Sequence, residues 1–115
     1  MAEVNNYEWI ELLPSGWHEL ARKMIEECEA IDPTYYICDL KEKWGTLDVI
    51  ANCDMNCWRE IDEIENKYEE LSARTCCKCG KPAIKYSTGW VLPWCDDCGT
   101  KEYGPYKKFR RKTIT

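Results

Sequence analysis

Histidine and phenylalanine are almost missing from this chain of 115 residues, at one each, and glycine and proline are sparse at six and five. The lone histidine, His18, sits beside an apolar helical stripe with no Cys or carboxylate placed to complete a triad. No glycine-rich phosphate loop and no G-x-S-x-G turn occurs. Apolar runs stop after a few residues, as in Val49-Ile50-Ala51, so no membrane-crossing helix is expected. No basic segment followed by an apolar one opens the chain, so no export signal is expected either. These absences predict a cytoplasmic protein with no enzymatic activity, no membrane association and no small-molecule substrate.

Cysteine and large rings are what the chain has in quantity: nine Cys, six Trp and seven Tyr. An odd cysteine count without an export signal argues against a disulfide framework and for a reducing compartment. Cys76, Cys79, Cys95 and Cys98 give C-x2-C-x15-C-x2-C, with Gly80 and Gly99 behind each pair. That is the spacing of a zinc ribbon. Each C-x-x-C-G turn brings two sulfurs to one metal, and four thiolates close a tetrahedral shell. The expected cofactor is one structural Zn2+. Cys77 offers a second register, but Cys77 with Cys79 is C-x-C and makes a poorer knuckle. A closed shell has no position at which to activate water. Trp94 separates Pro93 from Cys95, so the P-C-x-x-C of zinc deaminases is absent as well. Cys28, Cys38, Cys53 and Cys57 are expected to be small buried hydrophobes rather than a second site, Cys53 alone lacking an obvious core position.

Periodicity predicts the rest. Trp17, Leu20, Ala21, Met24, Ile25, Cys28 and Ile31 form one stripe of a helix that Ser15 is placed to cap and Asp32-Pro33 to stop. Tyr35–Leu40 and Leu47–Ala51 read as a hairpin whose loop is longer than two residues. Asn52 or Asp54 is placed to cap a second helix striped by Cys57, Ile61, Ile64, Tyr68 and Leu71 and ending near Ala73. Ala83–Tyr86 and Trp90–Leu92 are expected to pair around Ser87-Thr88-Gly89. The fold class is therefore α+β: an acidic α-β-β-α unit over 1–74, a four-cysteine zinc ribbon over 75–100, and a basic aromatic tail over 101–115.

Charge is divided along the chain. Residues 1–72 carry 18 acidic and 6 basic side chains, net −12; residues 73–115 carry 3 acidic and 10 basic, net +7. Two kinds of association follow. A protein partner would use rings and acids, with Trp44, Trp90, Trp94, Glu65 and Glu69 as contact residues. A nucleic acid would use the tail, where Tyr103, Tyr106 and Phe109 interleave with cations and Lys107, Lys108, Arg110 and Arg111 would meet phosphates. The sequence reading ranks the protein partner first. Trp44 in the hairpin loop and Trp90 or Trp94 in the ribbon are the rings expected to be exposed.

The order of motifs is also informative: Gly16-Trp17, then Lys41-Glu42-Lys43-Trp44-Gly45-Thr46-Leu47, then Leu71-Ser72-Ala73-Arg74-Thr75-Cys76 running to Cys79-Gly80, then Gly89-Trp90 and Cys95-x-x-Cys98. This resembles a family of small zinc-ribbon proteins of bacteriophages, prophages and bacteria that has no assigned activity, over about residues 12–99. The resemblance implies a zinc site on the same four cysteines and a phage or mobile-element setting. There the expected role is an accessory factor that binds, modulates or inhibits a host protein complex, an anti-defence inhibitor such as an anti-CRISPR being one form. Leu47-Asp48-Val49-Ile50 stands where the family tends to show an aromatic and an Arg, so no basic contact carries over to that strand.

Overall fold

A computed structural model describes residues 5–87, 91–103 and 109–111, with the side chains of the last two segments described only as far as Gly99. Two 3-10 turns, Asn6–Leu12 and Ser15–Trp17, lead into helix α1, His18–Ile31. Strands β1, Tyr36–Lys43, and β2, Thr46–Asn52, form an antiparallel hairpin, and helix α2 follows over Trp58–Ala73. Then come β3, Lys85–Ser87, β4, Pro93–Trp94, helix α3, Asp96–Tyr103, and β5, Phe109–Arg111. The second sheet has the order β4-β3-β5, antiparallel throughout. The chain is α+β, with helices and small antiparallel sheets. No helix among the described residues is long and apolar enough to cross a membrane.

The core forms where the stripes of α1 and α2 meet the inner face of the hairpin. Trp17, Ala21, Met24, Ile25 and Cys28 of α1 and its lead-in turn are fully buried, with Ile37, Leu40 and Leu47 from the strands and Ile61 and Tyr68 from α2. Each large apolar side chain buried this way contributes about 1.5–3 kcal/mol. The stripes run out at their ends, for Ile31 and Leu71 are exposed. Glu27 joins the two helices on their outer side, accepting from Lys67 Nζ at 2.8 Å and from the Tyr68 hydroxyl.

Polar groups close the gaps that apolar packing leaves. Buried Asn6 donates to the Tyr35 carbonyl and accepts from the Ile37 amide, both at 2.9 Å, and so covers the outer edge of β1. Asp32 accepts from the Asp54 amide at 2.7 Å and from the Thr34 amide and hydroxyl at 2.9 and 2.7 Å. These bonds, the one from Asp54 first, hold its carboxyl below the usual aspartate range. Ser72 Oγ accepts from the Leu47 amide at 2.7 Å and so ties the end of α2 to β2.

Several local expectations are corrected. Ser15 does not cap α1: its hydroxyl donates to the Lys78 carbonyl at 2.8 Å, and the helix starts at His18. Neither Asn52 nor Asp54 caps α2. Asp54 closes a turn on the Asn56 amide, and the Asn52 amide meets Cys38 Sγ at a bulge in β1. The hairpin loop is two residues, not longer. Lys43 pairs with Thr46, and Trp44 and Gly45 carry φ of 55° and 84°. Two positive φ values match the twist of the flanking strands, which is why β1 extends through the charged Lys41–Lys43. In the second sheet β3 pairs with Pro93–Trp94, and the Ser87 amide donates to the Leu92 carbonyl at 3.0 Å; Trp90 lies outside the described residues. The segment after Cys98 continues α3, and Phe109–Arg111 of the tail pairs with β3.

Candidate metal centre

The first knuckle leaves α2 almost at once. The Cys76 amide donates to the Lys81 carbonyl at 2.7 Å, and the Gly80 amide returns to the Cys76 carbonyl at 3.1 Å. Gly80 takes φ 85°, a conformation open to it because it has no Cβ. The second pair straddles the start of α3. The Cys98 amide donates to Cys95 Sγ at 3.4 Å, and the Lys81 amide donates to Cys79 Sγ at 3.5 Å.

The sulfurs of Cys76, Cys79, Cys95 and Cys98 all lie within 4.8 Å of one another. Cys79 Sγ and Cys95 Sγ are 3.6 Å apart. Four sulfurs at about 2.3 Å from one ion would be separated by about 3.8 Å along each edge of the tetrahedron. The donor set and its spacing therefore fit a single metal ion, and four thiolates are compatible with zinc. Without a cation the thiols compete. Burial pushes Cys76 up, but the amides of Cys95, Cys79 and Lys78 outweigh it and bring the thiol to about 7. Burial and neighbouring sulfurs drive Cys98 above the usual thiol range, and burial leads the rise at Cys95. A divalent ion removes that competition by holding all four as thiolates.

Cys77 stands outside the cluster and has a different task. Its amide donates to the Pro93 carbonyl at 2.9 Å, and its carbonyl accepts from the Gly16 amide at 2.8 Å. The knuckle therefore rests directly on the entry to α1. A Cβ on Gly16 would lie 2.0 Å from the Cys76 carbonyl oxygen and 2.8 Å from the Gly80 nitrogen. Trp17 Nε1 donates to the Thr75 carbonyl at 3.0 Å beside it. Further along, the Tyr86 hydroxyl donates to the Ala73 carbonyl at 2.7 Å, and Gly45 at the hairpin tip abuts Val91 and Tyr86. The docking roles of Gly16, Ser15 and Cys77 are not visible in the sequence, where Gly16-Trp17 reads only as a helix start.

The other residues singled out from the sequence are dispersed. Trp44 is 79% exposed at the hairpin tip. Trp94 is buried in β4 and cannot serve as a surface ring, which corrects its expected exposure. Glu65 is not part of a free acidic face either: it is half-buried, accepts the Tyr35 hydroxyl at 2.7 Å, and burial raises its pKa. Glu69 is exposed. Arg110 and Arg111 lie in β5, opposite Tyr86 and Lys85, while Lys107 and Lys108 lie outside the described residues. His18 Nε2 lies 3.0 Å from the Leu13 carbonyl oxygen, which can only accept, so the bond calls for the proton on this nitrogen. Of the remaining thiols, Cys28 is buried and its pKa rises to about 12 through burial, and Cys53 and Cys57 are half-buried; Cys38 is exposed at the β1 bulge, which corrects its expected burial. No second metal-ligating group of three or more side chains forms among the described residues. Searches against protein-family models, curated proteins and solved structures give no match.

Proposed function

We propose that this chain is a non-enzymatic binding protein, built as an α-β-β-α unit with a zinc ribbon docked on it. One structural Zn2+ on Cys76, Cys79, Cys95 and Cys98 fixes the ribbon, and the ribbon braces the hairpin that carries the contact residue, Trp44. The observation that carries this reading is the state of Trp44. A bulky ring occupies a left-handed turn position that Asn or Gly fills at less cost, and it remains 79% exposed. Strain held at an exposed ring suits a contact residue better than a packing residue. Four protein ligands close the metal shell, which suits a structural ion and not a catalytic one. The resemblance to phage zinc-ribbon proteins supports a phage or mobile-element setting for this binding role.

The test is metal analysis combined with affinity capture. The full chain should hold about one equivalent of zinc, and Trp44→Ala should keep the zinc while losing at least tenfold in affinity for the captured partner. Retention of wild-type affinity in that variant would refute Trp44 as the contact.

A further inference from the structure

The charge division along the sequence acquires a location in the fold. Strand β5 places Arg110 opposite Tyr86 and Arg111 opposite Lys85 in the second sheet. That sheet reaches the hairpin tip, because Tyr86 and Val91 are the groups that Gly45 abuts. Trp44 is the residue next to Gly45, and exposed Lys43 precedes it. Exposed Lys78 and Lys81 lie on the first knuckle of the same C-terminal part. An exposed ring and a basic strand therefore share one end of a molecule whose first 72 residues are net −12.

The turn that carries the ring is also held still. The Gly45 amide donates to Glu42 Oε2 at 2.9 Å, and the Thr46 hydroxyl donates to the Lys43 carbonyl at 2.9 Å. A solvent-facing indole on a fixed turn, next to exposed Lys43 and at the same end of the fold as a strand with two Arg, has the two parts of a single-strand binding surface: a face on which any base can stack, and charges for the phosphates. Two cations here already have carboxylate neighbours, Lys41 with Asp39 at 3.0 Å and Lys85 with Asp96 at 3.1 Å. Lys41 and Asp39 both reach solvent, where such pairing is weak and a phosphate competes with it, whereas Lys85 is mostly buried and stays with its partners.

We infer that the partner seated on Trp44 is a single-stranded nucleic acid, its bases stacking on the indole and its backbone following β5. This rests on the reading of Trp44 as the contact residue. A duplex is disfavoured, since its bases are already stacked and offer the indole no face.

The test uses the zinc-loaded full chain and fluorescence anisotropy with ~20-nucleotide labelled oligothymidine, oligouridine and a DNA duplex of equal length. The expected result is single-strand binding at least tenfold tighter than duplex binding, and a comparison of the two single strands separates DNA from RNA. Trp44→Ala should weaken it by about tenfold or more with zinc content unchanged. Replacing Arg110, the strand partner of Tyr86, with Gln should lower the slope of log affinity against log salt by about 0.7, one single-strand phosphate contact's worth. Absence of oligonucleotide binding by folded, zinc-loaded protein at low salt would overturn the inference. If Trp44→Ala then still loses a protein captured from nuclease-treated extract, only the nucleic-acid assignment fails. If that capture is also unchanged, the role of Trp44 fails with it.

Discussion

Replacing Gly16 with Ala should undo the docking of the metal knuckle, and the size of the effect follows from the geometry. The added carbon would sit 2.0 Å from the Cys76 carbonyl oxygen, 2.7 Å from the Cys77 carbonyl carbon and 2.8 Å from the Gly80 nitrogen. All three are backbone atoms, so no side chain can swing away; the two segments must part by about 1 Å to reach ordinary contact. That movement breaks the Gly16–Cys77 hydrogen bond and strains those from Ser15 and Trp17. Overpacking costs about 1–3 kcal/mol. Each lost hydrogen bond adds about 1 kcal/mol. The lower entropy of unfolded Ala returns up to about 1 kcal/mol. The net is about 3 kcal/mol, which for a chain of this length lowers Tm by roughly 12 °C. Gly80→Ala provides the contrast. Gly80 needs its positive φ, but a Cβ there would be 3.2 Å from its nearest neighbour, the Gly16 carbonyl oxygen. The expected cost is about 1 kcal/mol from the left-handed backbone alone. Thermal melts of both variants with zinc present give the ranking. A Gly16→Ala protein melting within about 3 °C of wild type, or above Gly80→Ala, would refute the steric argument.

Four other outcomes are expected. Cys95→Ser should bind zinc much more weakly in a chelator competition and lose the ordered C-terminal third, seen as lost amide protection beyond Thr75; an unchanged affinity would remove Cys95 from the metal shell. Trp44→Asn should raise stability by about 1 kcal/mol, or roughly 4 °C in Tm, because Asn accepts the left-handed turn position; a fall in Tm would mean that the indole packs. Asn6→Ala should cost about 2–3 kcal/mol in denaturant titration, since it leaves the Ile37 amide and the Tyr35 carbonyl unpaired in a buried place. Glu65 is raised mainly by burial, so its contribution to stability is greatest below the ordinary glutamate pKa and is lost as pH rises through the folded value. Glu65→Gln should therefore stabilise the protein at neutral pH but not in acid below the glutamate range, and equal Tm changes in both would contradict this.

The helices and the metal ligands are legible in the sequence because each rests on a local rule. A stripe at helical spacing defines α1 and α2 to within a few residues, and C-x2-C spacing with glycines needs no knowledge of the fold. The caps mislead for a physical reason: Ser15 is a good capping residue, but its hydroxyl has a stronger claim on it from Lys78, 63 positions away. The hairpin loop misleads because Lys41–Lys43 looks like turn material, while the strand there is decided by Trp44 and Gly45 both taking positive φ. For Trp94 and Glu65 residue type alone suggests a ring for contact and an acid for solvent; their actual positions depend on which side of a strand or helix meets the core.

The least legible feature is the one that joins the metal to the rest of the chain. Gly16 carries no chemistry of its own, and in a sequence it can only mark flexibility or a helix boundary. In the fold it is the absence of a side chain that matters, because the knuckle backbone occupies the place where a Cβ would be. From this contact the dependence runs outward. An ion held by the four cysteines would fix the knuckle, the knuckle rests on Gly16 and Trp17 of the α1 entry, and the same C-terminal part meets Gly45 beneath Trp44. Loss of zinc should therefore be felt at the hairpin tip without any direct bond between them. Fluorescence of an otherwise Trp-unchanged protein and of Trp44→Phe, each titrated with chelator, isolates the Trp44 signal as the difference. That difference should change along the same titration curve as zinc release. A Trp44 signal that stays constant while zinc is fully removed would show that the tip is braced by the hairpin alone.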